Sequence, residues 1–226
     1  MYTAVLNNNP FPYAVGKCVC VGRNYAAHAA ELNNPVPSTP LLFIKPADAA
    51  VSITPRVMIP AEWGSVHHEL EIAILIQKKL KNATEAEAND AIAGVGLALD
   101  LTLRDVQDQL KKQGQPWEIA KAFDGASPLS EFIGIEQVAD LKNIEFSLTR
   151  NGKVQQQGNS KDMLFPIVAL IAHMSSIFTL NPGDVILTGT PVGVGALVVG
   201  DKLELQLNQQ LTVQASVTEN ERRILE

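Results

Sequence analysis

Cysteine, histidine and clustered basic residues are all scarce in this chain. Two cysteines occur in 226 residues, Cys18 and Cys20. They alternate with Val19 and Val21, so on a strand both face one way, a poor geometry for a mutual disulfide. Cys-x-Cys can also be half of a zinc site, but no second Cys pair exists and the four histidines are scattered. Both cysteines therefore read as small core residues of a protein in the reducing cytoplasm. No Lys/Arg cluster is present and the net charge is −6, which argues against a nucleic-acid partner. The longest apolar runs, Ile72 to Ile76 and Ile92 to Leu99, are too short to span a bilayer. Met1 to Lys17 holds Asn7-Asn8-Asn9-Pro10 and no apolar leader core, so it is not read as a signal peptide. Repeats, low-complexity stretches and obvious linkers are missing too. One domain is expected over 1–226, with the short N-terminal segment 1–16 included. A hydrophobic fraction of 46% supplies a sizeable core.

What is there is mostly strand. Lys17 to Gly22, Leu41 to Ile44, Val66 to Ile76, Ile92 to Thr102 and Val185 to Leu187 read as strands, several of them fully buried. Hairpins are expected for Ala50–Ile53 with Val57–Ile59, for Ile144–Leu148 with Lys153–Gln157 around Asn151-Gly152, and for Asp201–Leu207 with Gln210–Thr218. Helices are expected over Ala26–Leu32, from Thr84 onward with Glu87 completing a capping box, over Arg104–Lys112, and over Ser160–Thr179. Strands outnumber helices and do not alternate regularly with them, which gives an α+β fold with a large β component.

The chemistry lies in three acids. Glu69 and Glu71 alternate along a strand that ends apolar, so both point one way. Two bare carboxylates entering a core are costly, and a cation between them or a proton on one relieves the repulsion. An edge strand with one wet face would carry the same Glu-x-Glu at no cost. Asp100, interrupting a second apolar strand, is a third acid in need of a partner. Oxygen-only ligands select Mg²⁺ or Mn²⁺ over Zn²⁺. Such an ion, with positions left open, would chelate a 2-oxo acid and stabilise a developing enolate.

His28 and Glu31 stand three apart on one helical face, before a segment, Asn33 to Pro40, that carries three prolines. That arrangement suits a lid bearing a general base; an ordinary surface helix with a His–Glu pair is the other reading. Lys121 and Arg23 would neutralise carboxylate or enolate charge. The glycine-rich Thr188 to Gly195 is no Walker loop, and it is either an anion cradle or a plain turn. His67 and His68 are expected to be supporting or structural.

Six stretches, in order, resemble the fumarylacetoacetate hydrolase family over nearly the whole chain. They are Val19-Cys20-Val21-Gly22-Arg23-Asn24-Tyr25, Leu42-Phe43-Ile44-Lys45-Pro46, His67-His68-Glu69-Leu70-Glu71, Asp100 to Gln107, Ala120-Lys121-Ala122-Phe123-Asp124 and Leu187 to Gly195. The length is most similar to the acylpyruvase and oxaloacetate decarboxylase branch. The resemblance implies a mixed β-sandwich or β-roll with a few peripheral helices, usually a homodimer. It implies Mg²⁺ or Mn²⁺ on Glu69, Glu71 and Asp100, and a catalytic His28–Glu31 dyad on a lid. Lys121 would be the active-site lysine, with Arg23, Lys45, Arg104, Gln107 and Thr190 lining the substrate pocket. The expected activity is C–C cleavage of small 2-oxo or 2,4-dioxo acids, by acylpyruvate hydrolysis, oxaloacetate decarboxylation or both, through a shared pyruvate enolate at the metal. The alternatives are an oxo-acid isomerase or tautomerase, of the oxaloacetate keto–enol or hydroxymuconate type, and a non-catalytic metal-binding dimer.

Overall fold

Two apolar strands at the centre organise the molecule. Leu70–Ile76 and Ile92–Leu99 pair antiparallel, and every residue in both is buried. Their near-continuous apolar sequence reflects cover on both faces of the sheet. In the computed structural model, which describes residues 1–32 and 34–220, they sit inside an eight-stranded mixed sheet. Its order runs Leu41–Pro46, Lys17–Gly22, Val185–Leu187, Leu70–Ile76, Ile92–Leu99, Ser127–Leu129, Ala50–Ser52, with Ile133–Gly134 also pairing to Ile92–Leu99. Alternate side chains separate two cores. Val19, Val21, Ile72, Ile74 and Leu97 meet Phe146, Leu148, Leu203 and Leu205 of a five-stranded sheet. That sheet is ordered Lys153–Asn159, Glu145–Arg150, Lys202–Leu207, Leu211–Glu219, Arg56–Ile59. On the opposite face Cys18, Cys20, Ala73 and Leu75 pack with Ala4, Phe11 and Val15 of the N-terminal segment. The mixed α+β reading, strand-rich with few helices, holds.

The two cysteines are free and buried, as their alternation with valine suggests. Burial pushes the Cys18 thiol up to about 12, with nearby Lys45 pulling weakly the other way. An acid whose folded pKa is raised keeps its proton in the folded state longer than in the unfolded one. Stability is therefore complete below about pH 9 and declines as pH climbs towards 12. Native protein at neutral pH should be inert to a thiol-reactive chromophore and should react at two sites once denatured; prompt labelling of the native protein would contradict this burial.

Four expectations need correction. Val66–Ile76 is not one strand. Val66–His68 joins a small sheet with Thr102–Leu103 and Gly195–Ala196, whereas Leu70–Ile76 belongs to the large one. Ile92–Thr102 divides in the same way, after Leu99. Both chains cross between sheets at one level, where the Asp100 N–H donates to the Glu69 carbonyl at 2.8 Å. Acids at a crossing leave the hydrophobic faces of both sheets, and so are tolerated there. The proposed hairpin Ala50–Ile53/Val57–Ile59 does not form either. Ala50–Ser52 pairs parallel to Ser127–Leu129, and Arg56–Ile59 pairs parallel to Leu211–Glu219 in the other sheet. The helix read over Ser160–Thr179 covers only Ile167–Ile177, because Pro166, lacking an N–H, stands at its start. The segment Ala120 to Pro128 completes the short helix Glu118–Lys121 and enters the strand Ser127–Leu129.

Elsewhere the local signals suffice. Asn151 and Gly152 turn with positive φ between Glu145–Arg150 and Lys153–Asn159. Thr84 and Glu87 form the expected capping box on Glu85–Asp90. An unforeseen hairpin, Thr3–Leu6 with Asn9–Ala14, turns on Asn7 and Asn8, both at positive φ; the Asn pair was its available signal. Among the described residues no helix is long and apolar enough to cross a membrane.

Candidate active site

The sheet crossing brings the three acids together. Glu69 lies in the break, Glu71 is the second residue of Leu70–Ile76, and Asp100 directly follows Ile92–Leu99. One carboxylate oxygen from each lies within 4.8 Å of the others, and all three residues are buried. Their partners differ. Arg104, at the start of the helix Arg104–Gln113, donates to Glu69 Oε1. Lys121, the last residue of Glu118–Lys121, reaches Glu69 Oε2 at 2.9 Å, Asp100 Oδ2 at 2.7 Å and Thr102 Oγ1 at 2.7 Å. Burial alone would raise Glu69, but Lys121 and Arg104 outweigh it and hold this carboxyl well below its usual range. Burial likewise disfavours the Lys121 charge, and Asp100 and Glu69 overcome that to raise its pKa.

Glu71 stands apart. Among the described residues its carboxylate has one hydrogen bond, from the Gly189 N–H, at 2.6 Å. Burial, with the charges of Asp100 and Glu69 added, raises its pKa well above normal. Asp100 Oδ1 faces Lys45 Nζ at 2.5 Å, out of line for a hydrogen bond, and has no other partner among the described residues. A hard cation fits this donor set. It would contact the carboxylate that lacks a cationic partner and the oxygen that lacks a hydrogen bond.

A small cavity of about 40 Å³ opens on the acids and is lined by Arg23, His28, Arg104, Gln107, Lys121 and Thr190. Lys45, expected along its wall, is fully buried beneath it, donating to the carbonyls of Ala126 at 2.6 Å and Leu101 at 3.2 Å. Two residues not foreseen also line the cavity, Lys111 and Trp117, with the Lys111 ammonium 5.5 Å above the indole ring. Arg104, Gln107 and Lys111 recur at helical spacing, so the periodicity of that helix held the signal. Arg104 Nη1 donates to Gln107 Oε1 at 2.7 Å, which sets the guanidinium plane.

The helix Ala26–Glu31 forms the roof. Asn33, named above with the proline-rich stretch after it, lies outside the described residues. His28 Nδ1 donates to Glu31 Oε2 at 3.1 Å, since a carboxylate can only accept, and in the neutral ring this makes Nε2 the acceptor nitrogen. The other Glu31 oxygen accepts from the Gly193 N–H at 2.9 Å. Gly193 sits at φ +102 with the Gln155 carbonyl where a Cβ would go, so only glycine fits there. The glycine-rich loop thus serves as an N–H donor to two site carboxylates, Glu71 and Glu31. Asn24 anchors it: its Nδ2 donates to the Thr188 carbonyl at 2.8 Å, and its Oδ1 accepts from Phe165 N–H at 2.7 Å. His68 is buried, with Nδ1 2.9 Å from Gln156 Oε1, and burial lowers its pKa.

Comparison with known proteins agrees with this geometry. A family model described as fumarylacetoacetate hydrolase, C-terminal, matches residues 17–218. The oxaloacetate tautomerase YcgM of Escherichia coli K12 is 55% identical over 192 residues, 84% of this chain and 88% of that one. The mitochondrial oxaloacetate tautomerase FAHD1 of Bos taurus is 42% identical over 199 residues, 88% of this chain and 90% of that one. A crystal structure of fumarylpyruvate hydrolase from Pseudomonas aeruginosa, in complex with Mn²⁺ and pyruvate, superposes with a TM-score of 0.89 at 31% identity, covering 97% of each chain.

Proposed function

The chain belongs to the fumarylacetoacetate hydrolase family, and on that premise we propose that it is a divalent-metal-dependent enzyme that interconverts the keto and enol forms of oxaloacetate. The observation that supports this most is the placing of His28, its Nδ1 held by Glu31, and three buried carboxylates on a single cavity. Glu69, Glu71 and Asp100 would hold Mg²⁺ or Mn²⁺. When bound, such an ion supplies Lewis-acid polarisation of the 2-oxo carbonyl. The chain's own groups do the rest. Arg23, Arg104 and Lys111 make the cavity cationic and would bind the two carboxylates of a small dicarboxylic acid. Gln107 and Thr190 would give it neutral hydrogen bonds.

His28 Nε2 would take the proton from the carbon beside the 2-oxo group, and that proton returns to the oxygen, so keto becomes enol with no atom gained or lost. Glu31 holds the imidazole in the tautomer that can accept. A cavity of about 40 Å³ has room for a few waters, so a four-carbon acid enters only if the helix Ala26–Glu31 shifts. We also read the protein as a homodimer, on the strength of the family resemblance, and as cytoplasmic, on its two free, buried cysteines.

The motif resemblance implies C–C cleavage, and the 55% identical tautomerase favours exchange. Cleavage is the second reading, supported by the fumarylpyruvate hydrolase likeness; it would have His28 activate a water instead. Ultraviolet absorbance of the enol follows oxaloacetate exchange directly. We expect acceleration with Mg²⁺ or Mn²⁺, loss on chelation and return on readdition. Release of pyruvate and CO₂ from oxaloacetate, or cleavage of acetylpyruvate, faster than exchange would install the second reading. Equal rates with and without metal would remove the metal from the mechanism.

A further inference from the structure

Gln156 lies in the middle of three glutamines on the strand Lys153–Asn159, at the edge of the five-stranded sheet. It is 1% exposed, the one glutamine of the three that is buried. A buried primary amide needs partners for one acceptor and two donors, and here each is met. Its Oε1 accepts from the Leu70 N–H at 2.9 Å and faces His68 Nδ1 at 2.9 Å. Its Nε2 donates to the Pro191 carbonyl at 2.9 Å and contacts Thr190 Oγ1 at 2.7 Å.

Backbone groups settle which end of the amide is which. The Leu70 N–H can only donate and the Pro191 carbonyl can only accept, so the amide cannot be flipped. The contact with Thr190 is then a bond from Gln156 to the threonine oxygen, and the hydroxyl must place its own proton elsewhere. Among the described residues none accepts that proton, and Thr190 lines the cavity over the acids. We propose that Gln156 is a positioning residue: by occupying the Thr190 oxygen as a donor, it turns the Thr190 hydroxyl into a fixed hydrogen-bond donor toward an oxygen of the bound 2-oxo acid. The same amide clamps Leu70, the residue between Glu69 and Glu71. One side chain therefore registers the substrate-contacting loop against the acid-bearing strand. The proposal rests on the 2-oxo acid reading of the cavity.

A cycle of variants tests it without turnover, using pyruvate binding in the presence of Mg²⁺ by titration calorimetry. Thr190→Val in the native background should weaken pyruvate about tenfold, and Thr190→Ser should keep native affinity. In a Gln156→Met background the hydroxyl is no longer directed, and Thr190→Val should then cost less than about twofold. An equal loss in both backgrounds would make Gln156 structural only and overturn the proposal. Neutron diffraction of the unaltered, deuterated protein answers the same question if Gln156→Met does not fold. A Thr190 deuterium directed into the cavity supports the assignment, and one placed on the line to Gln156 overturns it. If native protein binds no pyruvate with Mg²⁺, the substrate reading fails, and the neutron map still decides the role of Gln156.

Discussion

Replacing His28 with asparagine is expected to lower kcat for oxaloacetate keto–enol exchange by about 10²–10⁴-fold while leaving metal affinity unchanged. The asparagine amide can still donate to Glu31 Oε2 from near the position of Nδ1, so the roof helix keeps its contact. What is lost is Nε2, the ring nitrogen that the contact with Glu31 leaves free. Neither His28 nor Glu31 hydrogen-bonds or ion-pairs with the triad, so Mn²⁺ titration followed by electron paramagnetic resonance should match the native protein. KM should move little, since substrate carboxylates are assigned to Arg23, Arg104 and Lys111. A His28→Asn protein within about fivefold of native kcat would remove His28 from proton transfer, and the dyad would then be a structural pair on a lid.

The second large effect concerns Glu71. Glu71→Gln should weaken Mg²⁺ or Mn²⁺ by on the order of 100-fold or more, because even partners outside the ligand set cost 10–100-fold when removed. Exchange activity at limiting metal should fall in parallel. Stability should respond in the opposite sense to most changes at a buried charged residue. Glutamine Oε1 can keep the bond from the Gly189 N–H, and no cationic side chain is left behind without its partner. The metal-free variant should therefore melt no lower than the metal-free native protein. Glu69 and Asp100 differ, because each sits against Lys121, and neutralising either strands part of that buried ammonium's contacts. Calorimetric melting with and without Mg²⁺ reads both quantities. A metal-free Glu71→Gln protein that melts well below native would mean that Glu71 holds the fold through a contact absent from this geometry. Unchanged metal affinity would exclude Glu71 as a ligand.

Some of this site was legible along the chain and some was not. The pairing of His28 with Glu31 needs only helical spacing, and it forms as read. Lys111 continues the Arg104–Gln107 face, so helical periodicity alone carries it to the cavity. Motif position predicts Lys45 in the pocket wall, but it is fully buried against Asp100. A lysine on a buried strand can project to either side of a site, and only the sheet says which. Glu69 and Glu71 were read as neighbours on one continuous strand. They do converge, yet the strand breaks at Glu69, and the alternation rule reached the right pair through the wrong geometry.

Gln156 marks the limit of local reading. Nothing distinguishes it from Gln155 and Gln157 except which way the strand faces, and that depends on pairing with a partner far away in sequence. The sequence by itself determined the residue types available: hard oxygen donors, a helical His–Glu pair, a glycine loop, two inert thiols and enough apolar strand for two cores. Periodicity is a property of adjacent residues and survives in any context, so these were readable. Tertiary structure alone decided that two strands leave the large sheet at one level. That crossing sets Asp100 against Glu69 and stands Gln156 behind Thr190. Such contacts depend on register between distant segments, which is fixed by the packing of the whole core and not by any one stretch of the chain.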